Sequence, residues 1–273
     1  MLKAVIARFA QGYRTIKFPD AHVNLPDRFR GVPLVDRAKC RAGCENCSTA
    51  CPTGAIGVKQ SRVRIDLGRC LFCGDCARQC PSNAISFTKD YRMAARKRED
   101  LVLEEGLPVL AAALEENMRR LYGRSLRLRQ VSAGGCNACE ADVNVLTTIV
   151  FDLGRFGIQF VASPRHADGL LITGPVTENM RLALQKTYEA VPPPKLVIAC
   201  GACAVSGGPY VNHAETHNGV SGLLPVDLFI PGCPPHPLTI LDGLLRLVGK
   251  IESQSNPQAS SAHRPNAPES SVR

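Results

Sequence analysis

Apolar positions change rhythm along the chain, and each change predicts a different element. At the start, Leu2, Val5, Ile6, Phe9 and Tyr13 recur at helical spacing and predict an amphipathic helix with one apolar face. A stretch opened by Pro108 sets Leu110, Leu114, Met118 and Leu121 on one face, with Glu115/Arg119 and Glu116/Arg120 four apart. That pattern predicts a helical linker over 96–123. From about Ser125 short apolar or β-branched runs alternate with helical periodicity. Leu126–Val131, Gln159–Ala162, Gly169–Thr173, Lys195–Ala199 and Val226–Ile230 predict strands, with helices at Asp142–Asp152 and Asn179–Ala190 between them. Such alternation implies a parallel α/β sheet over 124–250. Beyond it, 251–273 is rich in Ser, Pro and Asn and is expected to be a disordered tail.

Composition adds two facts to this picture. Apolar residues at 45% and charged residues at 21% are globular values, so neither wholesale disorder nor a fibrous repeat fits. No run of eighteen apolar residues exists, and the first residues lack the unbroken apolar core of a signal peptide. The chain is therefore expected to be soluble and in a reducing compartment. Lys and Arg total 33 against 24 Asp and Glu, a net charge of +9, which taken alone points to nucleic acid or an anionic membrane. Thirteen cysteines are too few for a secreted disulfide scaffold and too many for a cytosolic protein with no use for thiolates.

Eight of the thirteen form an internal repeat. Cys44, Cys47 and Cys51-Pro52-Thr53-Gly54-Ala55-Ile56 recur 29 residues later as Cys73, Cys76 and Cys80-Pro81-Ser82-Asn83-Ala84-Ile85. Cys40 and Cys70 are 30 apart, so the first copy reads C-x3-C-x2-C-x3-C-P and the second C-x2-C-x2-C-x3-C-P. This pattern resembles the two-cluster bacterial ferredoxins, in which three close cysteines and one distant Cys-Pro cysteine hold each [4Fe–4S] cube. The resemblance implies one cluster on Cys40, Cys44, Cys47 and Cys80, and another on Cys70, Cys73, Cys76 and Cys51. Structural zinc is the competing use of paired C-x-x-C, and Cys40-x3-Cys44-x2-Cys47 also matches the loop spacing of radical-SAM enzymes. Three thiols per loop and the duplication favour iron–sulfur over zinc, and the following Cys-Pro and second copy make the x3 gap an insertion in the dicluster pattern instead of a radical-SAM loop. Upstream, Tyr13-Arg14-Thr15-Ile16-Lys17-Phe18-Pro19 and Phe29-Arg30-Gly31-Val32-Pro33 resemble the segment leading into the ferredoxin-like subunit of complex I and of membrane-bound [NiFe]-hydrogenases. The apolar face of the first helix docks beside membrane subunits in that family; packing on its own domain is the alternative.

Five cysteines remain. Cys136 follows the first predicted strand, Cys200 and Cys203 the fourth, and Cys233 the fifth, with Cys139 beside Cys136. All emerge at the carboxyl edge of the sheet, where open α/β sheets place ligands. Gly135-Cys136-Asn137-Ala138-Cys139-Glu140, Gly174-Pro175-Val176-Thr177, Gly201-Ala202-Cys203-Ala204-Val205-Ser206-Gly207-Gly208 and Pro231-Gly232-Cys233-Pro234-Pro235 resemble the [NiFe]-hydrogenase small subunit and its complex I relative. By matching positions, Cys136, Cys139, Cys203 and Cys233 are the implied cluster ligands, and Cys200 is a buried strand-end thiol. Complex I has two adjacent cysteines at the first position, so C-x-x-C here favours the hydrogenase branch. Ala202 and Asp142 depart from that branch, which usually has an acid and Glu there. Glu140 and Asp142 are candidates for a proton relay or partner contact, or helix-start carboxylates favoured by the dipole. Arg165 and His166 are candidates for tuning the cluster, or plain loop residues. Gly207, Gly208 and Gly232 are expected to let the backbone close round a cube.

The expected architecture is an α+β ferredoxin-like dicluster module over 1–95, followed through the linker by an α/β flavodoxin-like parallel-sheet domain. The resemblance implies three [4Fe–4S] clusters in a redox subunit that is not catalytic alone. Its expected partners are a hydrogenase or complex I-like large subunit and membrane-arm subunits, with no nucleic acid. Its expected place is cytoplasmic, peripheral on the cytoplasmic face of the inner membrane. The leading expectation is electron relay in a membrane-associated [NiFe]-hydrogenase or formate hydrogenlyase-like complex. A nickel-free NADH:quinone oxidoreductase-like assembly and a zinc-bound structural or assembly protein are the alternatives. Three oxidised clusters with their thiolates carry about −6, which brings the net charge near +3 and makes much of the basic excess counter-charge.

Overall fold

The computed structural model describes residues 2–21, 23–59, 62–104 and 106–251, so the expected tail lies outside the described residues from 252 onward. Helix α1 spans Leu2–Gln11 and none of its residues is buried. Leu2, Val5, Ile6, Phe9 and Tyr13 stand open to solvent, which removes packing on its own domain as the purpose of that face.

The cysteine-rich module is built from strands β1 (Pro33–Val35), β2 (Ile56–Lys59), β3 (Arg62–Asp66), β4 (Ile85–Phe87) and β5 (Val102–Leu103), with one-turn helices α2 (Asn46–Thr49) and α3 (Asp75–Arg78). β1 pairs antiparallel with β4, and β2, β3 and β5 form a second antiparallel sheet. The sequence repeat is a structural repeat. α2 and α3 carry Cys47 and Cys76, and β2 and β4 begin on Ile56 and Ile85. The halves exchange backbone bonds symmetrically: Asp36 N–H donates to Ala84 O and Asp66 N–H to Ala55 O, both at 2.8 Å.

The second half begins with α4 (Glu116–Tyr122) and β6 (Leu126–Ser132). It continues through α5 (Ala138–Val145), β7 (Ile158–Phe160), β8 (Gly169–Thr173), α6 (Glu178–Ala190), β9 (Leu196–Cys200), α7 (Ala202–Ser206), β10 (Leu228–Ile230) and α8 (Pro237–Leu247). The strands form one parallel sheet in the order β10-β9-β8-β6-β7. Counted within the domain this is 2-1-3-4-5, a doubly wound order whose ligand site lies beyond the carboxyl ends. β8, β9 and β10 are buried throughout, as strands covered on both faces must be.

Three sequence expectations are corrected. The helical linker shrinks to α4, because the amides of Ala111 and Leu114 are bonded to Ala94 O and Leu247 O and the two side chains are buried. Long-range pairing outweighs the local helical pattern. The helix expected over Asp142–Asp152 starts earlier, at Ala138, and ends at Val145, where the Thr147 and Thr148 hydroxyls turn back onto the carbonyls of Asn144 and Val145. α8 had no counterpart in the sequence reading. All eleven of its residues are buried, including Thr239, Asp242 and Arg246 on its one polar stripe.

The halves share a core. One buried cluster contains Ile65, Leu67 and Leu101 of the module together with Val197, Val205 and Phe229 of the sheet domain. Ala95 and Phe229 exchange backbone bonds at 3.0 and 2.9 Å across that boundary. Among the described residues no helix is long and apolar enough to cross a membrane.

Candidate cluster sites

Twelve cysteines gather into three groups of four. Cys40, Cys44, Cys47 and Cys80 line one cavity of the module, and Cys51, Cys70, Cys73 and Cys76 line another. Each cavity therefore takes three thiols from one copy of the repeat and the Cys-Pro thiol from the other. The Cys51 crossover is anchored by Thr53, whose buried hydroxyl donates to Arg69 O at 2.7 Å, next to Cys70.

Backbone amides face several thiols. Ala55 N–H and Ala84 N–H donate to Cys51 Sγ and Cys80 Sγ at 3.2 Å, and Phe72 N–H donates to Cys70 Sγ at 3.3 Å. Such N–H···S bonds favour anionic sulfur and tune a bound cluster. Burial pushes the Cys70 thiol up to about 12 and Cys76 to about 11, with neighbouring thiols adding to the rise. Cys80 goes the other way: burial is outweighed by the Ala84 amide and by Ser82. Thiols held above their ordinary range become thiolates near neutral pH only with a bound metal cation beside them.

The third group sits at the carboxyl edge of the parallel sheet. Cys136 lies in the loop after β6, Cys139 in α5, Cys203 in α7 and Cys233 in the loop after β10. Cys203 feels the charges of Cys233 and Cys136, and Cys139 those of Cys203, Cys233 and Cys136, so the four thiols lie within electrostatic reach of one another. Burial raises Cys139 and Cys233 and takes Cys203 to about 11. Gly208, at φ +54°, would place a Cβ 2.9 Å from Cys203 Sγ, and Gly207 and Gly232 also have positive φ, which fits their expected role. Gly201 was missed by the sequence reading: a Cβ there would stand 2.5 Å from Cys139 Sγ. Its signal was its place at the end of β9, directly before α7.

Cys200 stands apart. It is fully buried among Leu171, Ile198, Leu228 and Ile230, and burial raises its thiol well above the ordinary range. Glu140 is buried; burial would raise its carboxyl, but hydrogen bonds from Ser132 and Thr173, the latter at 2.7 Å, hold it below the usual range. Asp142 is raised by burial and lines a cavity of about 250 Å³ together with Phe29, Phe72, Cys233, His236 and Thr239. That cavity lies where the module meets the third group. Arg165 and His166 are exposed on a short 3-10 turn, and no hydrogen bond among the described residues joins either to the four cysteines.

The groups lie in a row. Cys47 adds its charge to Cys76 across the first pair of cavities, and Cys73 adds its charge to Cys233 across the boundary to the third. The donor sets fit [4Fe–4S] clusters chemically: four thiols each, short loops around a compact space and amides aimed at sulfur. Among the described residues no three His, Cys, Asp or Glu side chains close in tightly enough to hold a single metal ion. Four thiols spread around a cavity suit a polynuclear group.

A two-part iron–sulfur protein of oxidoreductase type is what this fold and these cysteines define. Residues 39–84 match the family described as 4Fe-4S dicluster domain, and residues 136–247 match the family described as NADH ubiquinone oxidoreductase, 20 Kd subunit. The chain belongs to the NADH ubiquinone oxidoreductase 20 Kd subunit family, with a 4Fe-4S dicluster domain ahead of it. It is 41% identical over 132 residues to the probable membrane-bound hydrogenase subunit mbhJ of Pyrococcus furiosus, covering 48% of this chain and 79% of that one. Formate hydrogenlyase subunit 7 of Escherichia coli is 39% identical over 143 residues, which is 52% of this chain and 56% of that one. An NADH-quinone oxidoreductase subunit of Heliobacterium modesticaldum is 41% identical over 122 residues, 44% of this chain and 70% of that one.

Proposed function

We propose that the chain is an electron-relay subunit carrying three [4Fe–4S] clusters. Cys40, Cys44, Cys47 and Cys80 hold the first, Cys51, Cys70, Cys73 and Cys76 the second, and Cys136, Cys139, Cys203 and Cys233 the third. The observation that carries this reading is the row of three four-thiol groups, each within electrostatic reach of the next. Each cluster supplies one-electron transfer when bound. The chain's own residues hold the clusters, screen them and fix their spacing. The sheet domain is flavodoxin-like on its 2-1-3-4-5 strand order.

The partner is the large subunit of a membrane-associated [NiFe]-hydrogenase or formate hydrogenlyase-like complex, with the chain peripheral on the cytoplasmic face of the inner membrane. C-x-x-C at Cys136 and Cys139 favours this branch, as do the two hydrogenase-type relatives. A nickel-free quinone-reducing assembly is the second reading, favoured by the likeness to NADH-quinone oxidoreductase subunits. Nickel analysis of the purified complex separates them, since no nickel eliminates the first. Anaerobic metal analysis of the chain tests the relay itself: about twelve irons per chain are expected. Stoichiometric zinc with little iron would overturn it in favour of a structural role.

A further inference from the structure

The turn ahead of each copy's first cysteine is built twice, and the two copies differ where they meet the rest of the molecule. In the first copy Asp36 Oδ1 accepts the amide of Ala38 at 3.1 Å, two residues before Cys40. In the second, thirty residues on, Asp66 Oδ1 accepts the amide of Gly68 at 2.9 Å, two residues before Cys70. Ala38 is exposed and Gly68 is buried.

The burial comes from the sheet domain. A Cβ on Gly68 would stand 2.8 Å from Val205 Cγ1 and equally close to the Arg98 guanidinium. Val205 is itself 3% exposed. Ser206 donates its hydroxyl to Gly68 O at 2.8 Å, while the same oxygen lies 3.1 Å from Ala202 O, directly ahead of Cys203. Asp66 Oδ2 receives Arg98 at 2.7 Å, which fixes the guanidinium over the turn. One tight contact thus joins the loop of Cys70 to the helix of Cys203.

We propose that the Gly68–Ser206 contact sets the separation between the second and third clusters, with Asp66, Gly68, Arg98 and Ser206 as positioning residues for that electron transfer step. The duplication is the control built into the sequence: the same turn carries Ala38 where nothing presses on it and Gly68 where Val205 does. The proposal rests on the three-cluster reading.

The test uses the full chain loaded anaerobically and reduced, with the magnetic interaction between neighbouring clusters read by electron paramagnetic resonance. Gly68→Ala gives the second turn the residue of the first, and Ser206→Ala removes one hydroxyl without adding an atom. Both variants are expected to keep about twelve irons and the interaction between the first two clusters, but to lose or weaken that between the second and third. Ala38→Gly, the reverse exchange in the first copy, should leave both interactions as they are. If Gly68→Ala fails to load, Ser206→Ala decides. A parent-like interaction in Ser206→Ala overturns the proposal, whereas iron far below twelve in the parent chain would instead overturn the three-cluster reading.

Discussion

Cys200 and Cys203 lie three residues apart and have opposite environments. Cys203 feels the charges of Cys136 and Cys233, whereas Cys200 is fully buried among strand side chains and of the cluster-site thiols feels Cys139. Replacing Cys203 by Ser should leave about eight irons per chain, and replacing Cys200 by Ser should leave about twelve. The second change puts a hydroxyl into an apolar site and is expected to cost about 1–3 kcal/mol of stability instead. Iron analysis together with denaturant melting checks both, and loss of iron in Cys200→Ser would reassign the ligand. Gly201 sharpens the point. Its φ of +93° is open to glycine at little cost, and a methyl group there would meet Cys139 Sγ at 2.5 Å. Gly201→Ala should therefore empty the third site while leaving the two clusters of the module, again about eight irons. A full complement in that variant would show that Cys139 can move aside. The grouping of the cysteines in the module was legible because it follows residue type and spacing. Gly201 and Gly68 were not, because what they touch is far away along the chain.

At the level of elements, the five parallel strands were legible to within about three residues at each end, since buried strands read as short apolar runs. The linker misled because Ala111 and Leu114 are buried through long-range backbone pairing with Ala94 and Leu247 instead of on a helix face, and α8 went unread although Thr239, Asp242 and Arg246 recur at helical spacing. Within α8, Asp242 and Arg246 form a buried pair at 2.8 Å, 2% and 4% exposed. Burial raises the Asp242 carboxyl above the usual range, while Arg246 and then Arg92 pull it down, and Asp90 lies close enough to raise it. Arg246→Leu removes the strongest pull. The cost of stranding the carboxylate is about 3–5 kcal/mol near neutral pH. With the folded pKa raised further above the unfolded one, the folded chain binds a proton that the unfolded chain has released. Stability is then fully present below the unfolded pKa and is lost as pH rises toward the folded pKa. The deficit of the variant against the parent should accordingly widen between about pH 5 and about pH 8. Denaturant midpoints at the two values test this, and an equal deficit at both would mean that Asp242 does not titrate.

For the whole molecule, the net charge of +9 ceases to be a signature of nucleic acid once the thiols are counted as ligands. Burial holds Cys70, Cys76, Cys139, Cys203 and Cys233 above their ordinary range, so they are protonated and neutral near pH 7 without iron. On the three-cluster proposal, loading would convert thiols into thiolates, and three oxidised clusters with their ligands would add about −6 to the molecule. On that reading the added negative charge would lie along the row from Cys47 through Cys73 to Cys233, running from a buried to an exposed thiol. A chain designed around a polyanion outside itself would keep its full +9 when loaded. This one should not. Anaerobic electrophoresis of loaded and iron-free protein near pH 7 should show the loaded form less cationic by about six charges, with release of about twelve protons on loading. Equal mobility would mean that the thiols are already ionised without iron, or that fewer clusters are present, and the proton count separates these. On the same proposal the charge that would remain, about +3, is available to acidic partner subunits or a lipid face, as are the exposed apolar side chains of α1.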